Sequence, residues 1–151
     1  MSNYFHCAPL PLEPGSIIQP GNFGRMLNCY PLNQNTNAWM LVRELAFENA
    51  RLNLARERPS RLECAFVIDT IEDAKWYQYT HGRFNIIYEV EALDDVSNSH
   101  STPISLLDAL PQEALVLSSW RLRAQEYWSG RGDGPRERLI NSRLRIIQPI
   151  S

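Results

Sequence analysis

The strand and helix signals in this sequence do not alternate in a regular βαβ rhythm, which points away from a doubly wound α/β architecture and towards α+β. Short apolar runs at residues 62–68 and 84–90 read as buried strands, and aromatic alternation at 3–7 reads as a third. Ser16-Ile17-Ile18 suits a brief strand inside a turn-rich stretch that runs from Pro9 to Gly24. The Asn-rich residues 28–37 read as a loop, with Thr36 or Asn37 as the cap of a helix over 38–57 that Pro59 ends. On that helix Trp39, Val42, Leu45-Ala46, Asn49-Ala50 and Leu52-Asn53 form the expected core stripe. Glu44, Glu48 and Arg51 are placed for ion pairs between neighbouring turns. Asp69-Thr70-Ile71-Glu72 resembles a capping box opening a two-turn helix through Tyr77. Residues 96–104 are polar and read as mobile. A further helix starts at Pro111, carries Leu115, Trp120, Ala124 and Tyr127-Trp128 on one side, and stops at Gly130. The ending, Glu137 to Ile147, reads as strand broken near Asn141-Ser142.

At 151 residues the chain fits one domain with a real core. No segment approaches the ~18 consecutive apolar residues of a membrane span. The start, Met1-Ser2-Asn3-Tyr4-Phe5-His6, lacks a basic region followed by an apolar run, so a cytoplasmic bacterial protein without a secretion signal is expected. Cys7, Cys29 and Cys64, odd in number and widely spaced, suit packed reduced thiols rather than a disulfide framework or a metal site. Residues 121–151 hold 7 arginines against Glu126, Asp133 and Glu137, while residues 1–120 hold 8 basic and 14 acidic side chains. Arginine pairs bidentately with phosphate and carboxylate alike. That ending therefore reads either as a solvated face of local ion pairs or as a surface for a polyanion or dinucleotide.

Four places carry chemistry. His6 ends the aromatic strand Tyr4-Phe5-His6 just before a Gly-Pro loop. Phe66 ends a strand and Tyr77 follows eleven residues later on a helix, a spacing that lets two rings sandwich a flat heterocycle or simply pack in a core. Glu137, between Arg136 and Arg138, either enters a cleft or makes a surface pair. Arg61, in Pro59-Ser60-Arg61, and Arg25, in the early-loop stretch Asn22-Phe23-Gly24-Arg25, sit where an arginine meets phosphate or solvent.

In order, these places resemble the diphtheria-toxin-like branch of the ADP-ribosyltransferases, whose signature is His, then Tyr-x10-Tyr, then Glu. Here the residues are His6, then Phe66-x10-Tyr77, then Glu137. The opening from Tyr4 to Gly24, the strand Asn85-Ile86-Ile87-Tyr88-Glu89-Val90 and the ending Arg143-Leu144-Arg145-Ile146-Ile147 are similar to the small rifampin ADP-ribosyltransferases. Two departures stand out: Phe66 replaces the first tyrosine, and Pro135 stands where the arginine-modifying branch has a second acid.

The resemblance implies two small mixed β-sheets forming a cleft, flanked by helices, with NAD+ as co-substrate and no metal. His6 would bond the adenine-side ribose, Phe66 and Tyr77 would flank nicotinamide, and Arg25 or Arg61 would hold pyrophosphate. Glu137 would stabilise the oxocarbenium-like charge that develops as the glycosidic bond breaks, with Asp94 or Asp95 as the substitute acid. The implied function is a mono-ADP-ribosyltransferase acting on a macromolecular acceptor, protein, RNA or DNA, as a toxin, effector or phage-defence component with an antitoxin or immunity partner. The competing readings are a catalytically inactive binding module, suggested by Phe66, and an antibiotic-modifying transferase.

Overall fold

The computed structural model describes residues 3–30 and 38–150. The expected caps Thr36 and Asn37, and most of the expected loop at 28–37, lie outside the described residues. One sheet holds β1 (Asn3–Ala8), β4 (Ile86–Ala92), β7 (Leu144–Pro149) and β2 (Ile17–Ile18), in that order. The other holds β3 (Ala65–Val67), β6 (Arg136–Ile140) and β5 (Ser99–Pro103), in that order. The helices are α1 (Asn22–Asn28), α2 (Ala38–Leu54), α3 (Ile71–His81) and α4 (Val116–Ser129), with a short 3-10 turn, Ile104–Leu107, after β5. The fold is α+β, as the unalternating pattern implied. The sheets are not mixed, however: every ladder is antiparallel. Parallel neighbours need crossover units of the βαβ kind, which this sequence does not repeat.

Side-chain alternation sorts the layers. Tyr4 and Ala8 on β1 pack with Ala65, Val67, Tyr88, Val90, Ile140, Leu144 and Ile146, forming a core between the sheets. Phe5 and Cys7 point to the other side of β1, where Ile87, Ala74, Ile71 and Tyr77 seat α3. Phe66 and Leu139 face away from the first sheet and join Phe47, Trp120, Ala124, Tyr127 and Trp128 beneath α2 and α4. Each fully buried apolar side chain of this kind contributes about 1.5–3 kcal/mol relative to exposure. Among the described residues, beyond their own ladders, the sheets meet at one bridge, where Phe5 and Ile68 exchange two backbone hydrogen bonds of 2.8 Å.

Several elements differ from the sequence reading. Residues 96–104 are not a free loop, since Ser99–Pro103 is the edge strand β5, with His100 and Thr102 turned inward and buried. Asn22-Phe23-Gly24-Arg25 is helical rather than loop: Gly24 lets α1 lie against the chain at Leu62, where a Cβ would collide with the carbonyl oxygen. The strand read over 62–68 is limited to Ala65–Val67, and the one read from Phe84 begins at Ile86 and runs on through Glu91. Thr70, not Asp69, caps α3 by accepting from the Asp73 amide, which leaves Asp69 to bind Arg138 at 2.8 Å, and α3 runs past Tyr77 to His81. α4 begins at Val116, five residues after Pro111, and Leu115 is exposed, whereas Gly130 ends the helix in the left-handed conformation as expected. On α2 the buried face carries Arg43, Glu44 and Phe47, while Leu45 is 71% exposed, so the expected stripe is displaced by about one position. The cysteines are free, but Cys29 is exposed and not packed. Among the described residues no helix is long and apolar enough to cross a membrane.

Candidate active site

The bridge from β1 to Ile68, the residue after β3, sets the site. It brings His6 beside Phe66, so that the imidazole Nδ1 lies 2.8 Å from the Phe66 carbonyl oxygen. A carbonyl only accepts, so Nδ1 carries a proton. Burial lowers the pKa of His6, against the opposing effect of that hydrogen bond, and favours the neutral ring. Nε2 then keeps its lone pair, and among the described residues no partner occupies it.

His6 opens on a cavity of about 510 Å³, whose walls include Phe23, Arg43, Arg61, Phe66, Tyr77 and Glu137. Cofactor and small-molecule sites commonly enclose roughly 300–1,000 Å³. Five of the six residues singled out from sequence thus line one space: His6, Arg61, Phe66, Tyr77 and Glu137. Tyr77 stacks on His81 with ring centroids 4.5 Å apart and planes 7° from parallel, which fixes its ring. Burial, and then the charge of Glu137, raise the Tyr77 phenol above its ordinary pKa. Cys7 also lines the cavity, but burial pushes its thiol up to about 11, so it is no thiolate nucleophile at neutral pH.

Glu137 is buried, and Oε1 accepts from Arg61 Nη1 at 2.5 Å and from the Tyr127 hydroxyl at 2.7 Å. No donor meets Oε2 among the described residues. Arg61 is held on its other side by Glu44, whose two carboxylate oxygens lie 3.1 and 3.0 Å from Nε. Glu44 also accepts from Arg43 Nη2 at 3.0 Å, and Arg43 Nη1 donates to the Leu107 carbonyl at 2.9 Å. The guanidinium of Arg61 lies 4.8 Å from the Phe66 ring centre and 5.3 Å from that of Tyr127. The pKa of Arg61 is raised well above the usual value, since its carboxylate partners overcome the effect of burial.

This network bears on the two arginines expected to hold pyrophosphate. Arg61 is in the cavity wall, and its Nε and Nη1 are committed to carboxylates and Tyr127. Arg25 is exposed on α1, bonds Asn22 and the Pro20 carbonyl, and does not line the cavity. Asp94 and Asp95 are exposed too, paired with Arg143 and with Ser97, away from the cavity walls. Sequence reasoning placed Glu44 in ion pairs between neighbouring turns of its own helix, and missed Arg43 and the Tyr127 hydroxyl. The available signal was the run Met40, Arg43, Glu44, Phe47, a helical i, i+3, i+4, i+7 face on which two charges interrupt apolar residues. Of the terminal arginines, Arg138, Arg143 and Arg145 pair with Asp69, Asp94 and Glu91, and Arg136 bonds Ser101 and backbone carbonyls.

A family described as "Protein of unknown function (DUF2441)" matches residues 20–151. The chain belongs to this family. The matched DUF2441 region includes Arg43, Glu44, Arg61, Phe66, Tyr77, Tyr127 and Glu137, and begins after His6. No curated protein matches the chain.

The imidazoles of half-buried His6 and buried His100 make stability depend on pH. Burial lowers the pKa of both His6 and His100 below 6.5 in the folded chain. Between that lowered value and 6.5 the unfolded chain binds more protons, so acid favours unfolding. The thermal midpoint should therefore fall as pH drops from about 6.5 to 5.5, before most carboxylates titrate. A flat midpoint over that window, or imidazole NMR titrations at or above 6.5 for both residues, would contradict this.

Proposed function

We propose that this DUF2441 protein is a mono-ADP-ribosyltransferase that cleaves NAD+ and transfers ADP-ribose to a macromolecular acceptor, protein or nucleic acid. The observation that carries the reading is the meeting of His6, Phe66, Tyr77 and Glu137, from three distant segments, around one cavity of about 510 Å³. Their order resembles the His, Tyr-x10-Tyr, Glu signature, with Phe66 in place of the first tyrosine, and the two-sheet architecture is compatible with a cleft of that kind.

On this reading the bare Nε2 of His6 accepts from a ribose hydroxyl. Phe66 and Tyr77 flank the nicotinamide ring. Glu137 Oε2 accepts from the 2′-hydroxyl of the nicotinamide ribose. As the bond from ribose C1′ to nicotinamide nitrogen breaks, its electron pair leaves with nicotinamide and positive charge grows on the sugar. The Glu137 carboxylate opposes that charge. The acceptor's nucleophile then gives its electron pair to C1′, and its proton passes to water. One preorganised group facing developing charge is worth roughly 2.7–4 kcal/mol.

Incubating the purified chain with NAD+ labelled in nicotinamide tests this: release of free nicotinamide in proportion to enzyme supports it. No release, together with no rise in thermal midpoint on adding NAD+, overturns it. A second reading, a module that binds NAD+ without cleaving it, is favoured by the 2.5 Å contact through which Arg61 offsets the Glu137 charge. A rise in thermal midpoint with NAD+ but no nicotinamide would select that reading.

A further inference from the structure

The two hydrogen bonds to Glu137 fall on the same oxygen, Oε1. A carboxylate held by two donors on one oxygen has a fixed rotamer and presents the other oxygen in a fixed direction. One donor is the hydroxyl of Tyr127, a residue with 0% exposure. Its ring is wedged against Phe47, Trp128 and His100 at centroid distances of 4.8, 5.0 and 5.7 Å, so the hydroxyl has little freedom to leave Glu137. Burial, with the charge of Glu137 adding to it, raises the Tyr127 phenol well above its ordinary pKa, which keeps the proton on the donor.

The other donor, Arg61, is shared. Arg43, Glu44, Arg61 and Glu137 form a chain of alternating charge, with Glu137 as its negative end on the cavity. Glu44 takes the Nε side of Arg61 with both oxygens. A guanidinium already paired with Glu44 offsets less of the Glu137 charge than an undivided one would. Without Glu44 the cation would lie wholly on the carboxylate that must face the developing sugar cation.

We infer that Tyr127 and Glu44 are positioning residues for Glu137: Tyr127 aims Oε2 into the cavity, and Glu44 restrains Arg61 from neutralising the carboxylate. This rests on the transferase reading above. Neither residue lines the cavity, so neither is placed to touch NAD+. Their effect belongs in kcat rather than in NAD+ affinity, which a merely structural role would not separate.

The test is steady-state nicotinamide release by the wild-type chain and by Tyr127→Phe, Glu44→Gln and Ile146→Val. The last is a packing control, because Ile146 is buried in the core between the sheets, which holds no member of the network. Tyr127→Phe should lower kcat at least tenfold with KM for NAD+ within twofold, and Ile146→Val should lower the thermal midpoint while kcat stays within twofold. If Tyr127→Phe does not fold, Glu44→Gln reads the same network from its far side and should also lower kcat with KM held. Unchanged kcat in either folded variant, or a loss confined to KM, overturns the inference while leaving the transferase reading intact. A wild-type chain that releases no nicotinamide overturns both.

Discussion

Glu137→Gln will lower nicotinamide release by roughly 10²–10³-fold, while leaving the fold and NAD+ binding in place. The substitution is nearly isosteric and keeps an amide oxygen where Oε1 now accepts from Arg61 and Tyr127. What it removes is the negative charge, and charge is what the breaking glycosidic bond calls for. The loss should therefore fall on kcat, with the dissociation constant for NAD+ measured by calorimetry changing little. Arg61 keeps its Glu44 partner in this variant, so no buried guanidinium is stranded. Turnover within a few-fold of wild type would remove Glu137 from its role. The earlier substitutes could not then be invoked, because Asp94 and Asp95 lie off the cavity, tied to Arg143 and Ser97. The remaining acid in the cavity wall is Asp108, which is exposed. A fully active variant would thus leave the cavity without a buried carboxylate for the proposed chemistry.

How far the sequence spoke for the structure depends on where each element gets its stability. The strands read at 3–7 and 84–90 have apolar patterns of their own, and both are strands within two residues of the expected ends. Gly130 is legible because a left-handed helix stop suits glycine. β5 is not legible: its sequence is Ser-His-Ser-Thr-Pro, and its inward positions are the polar His100 and Thr102. His100 belongs inside because its Nε2 meets the Tyr127 carbonyl at 2.7 Å, a partner 27 residues away that no local pattern announces. α1 was hidden for a similar reason. Its middle glycine argues against helix locally and for close approach to Leu62 only once the chain is folded.

The candidate site divides in the same way. His6, Phe66, Tyr77 and Glu137 were singled out together because their order resembles the ADP-ribosyltransferase signature, and order survives in sequence. Arg43, Glu44 and Tyr127 were hidden, because a buried charge network looks like ordinary helix polarity until its members are seen facing one another. Tyr127 in particular sits in the apolar stripe of α4, where its ring is indistinguishable from core and only its hydroxyl is part of the site.

Arg61 is where the two readings of one residue separate most sharply by stability. Arg61→Ala leaves Glu44 and Glu137, 4% and 8% exposed, without the cation that lies between them. Removing one partner of a buried ion pair costs about 3–5 kcal/mol, because the remaining charge stays desolvated. Arg43 offsets part of this from the far side of Glu44, but nothing among the described residues replaces Arg61 as the cationic partner of Glu137. At about 2–4 °C per kcal/mol for a chain of this size, the thermal midpoint should fall by roughly 6–20 °C. A solvated arginine waiting for pyrophosphate would behave oppositely: its removal would change stability by no more than about 0.5 kcal/mol and would raise KM for NAD+. Thermal melts of Arg61→Ala therefore decide between a structural cation that shapes Glu137 and a phosphate ligand. Arg61→Lys should fall between wild type and Ala, because an ammonium restores the charge but cannot reach Glu44, Tyr127 and Glu137 from one rigid fork.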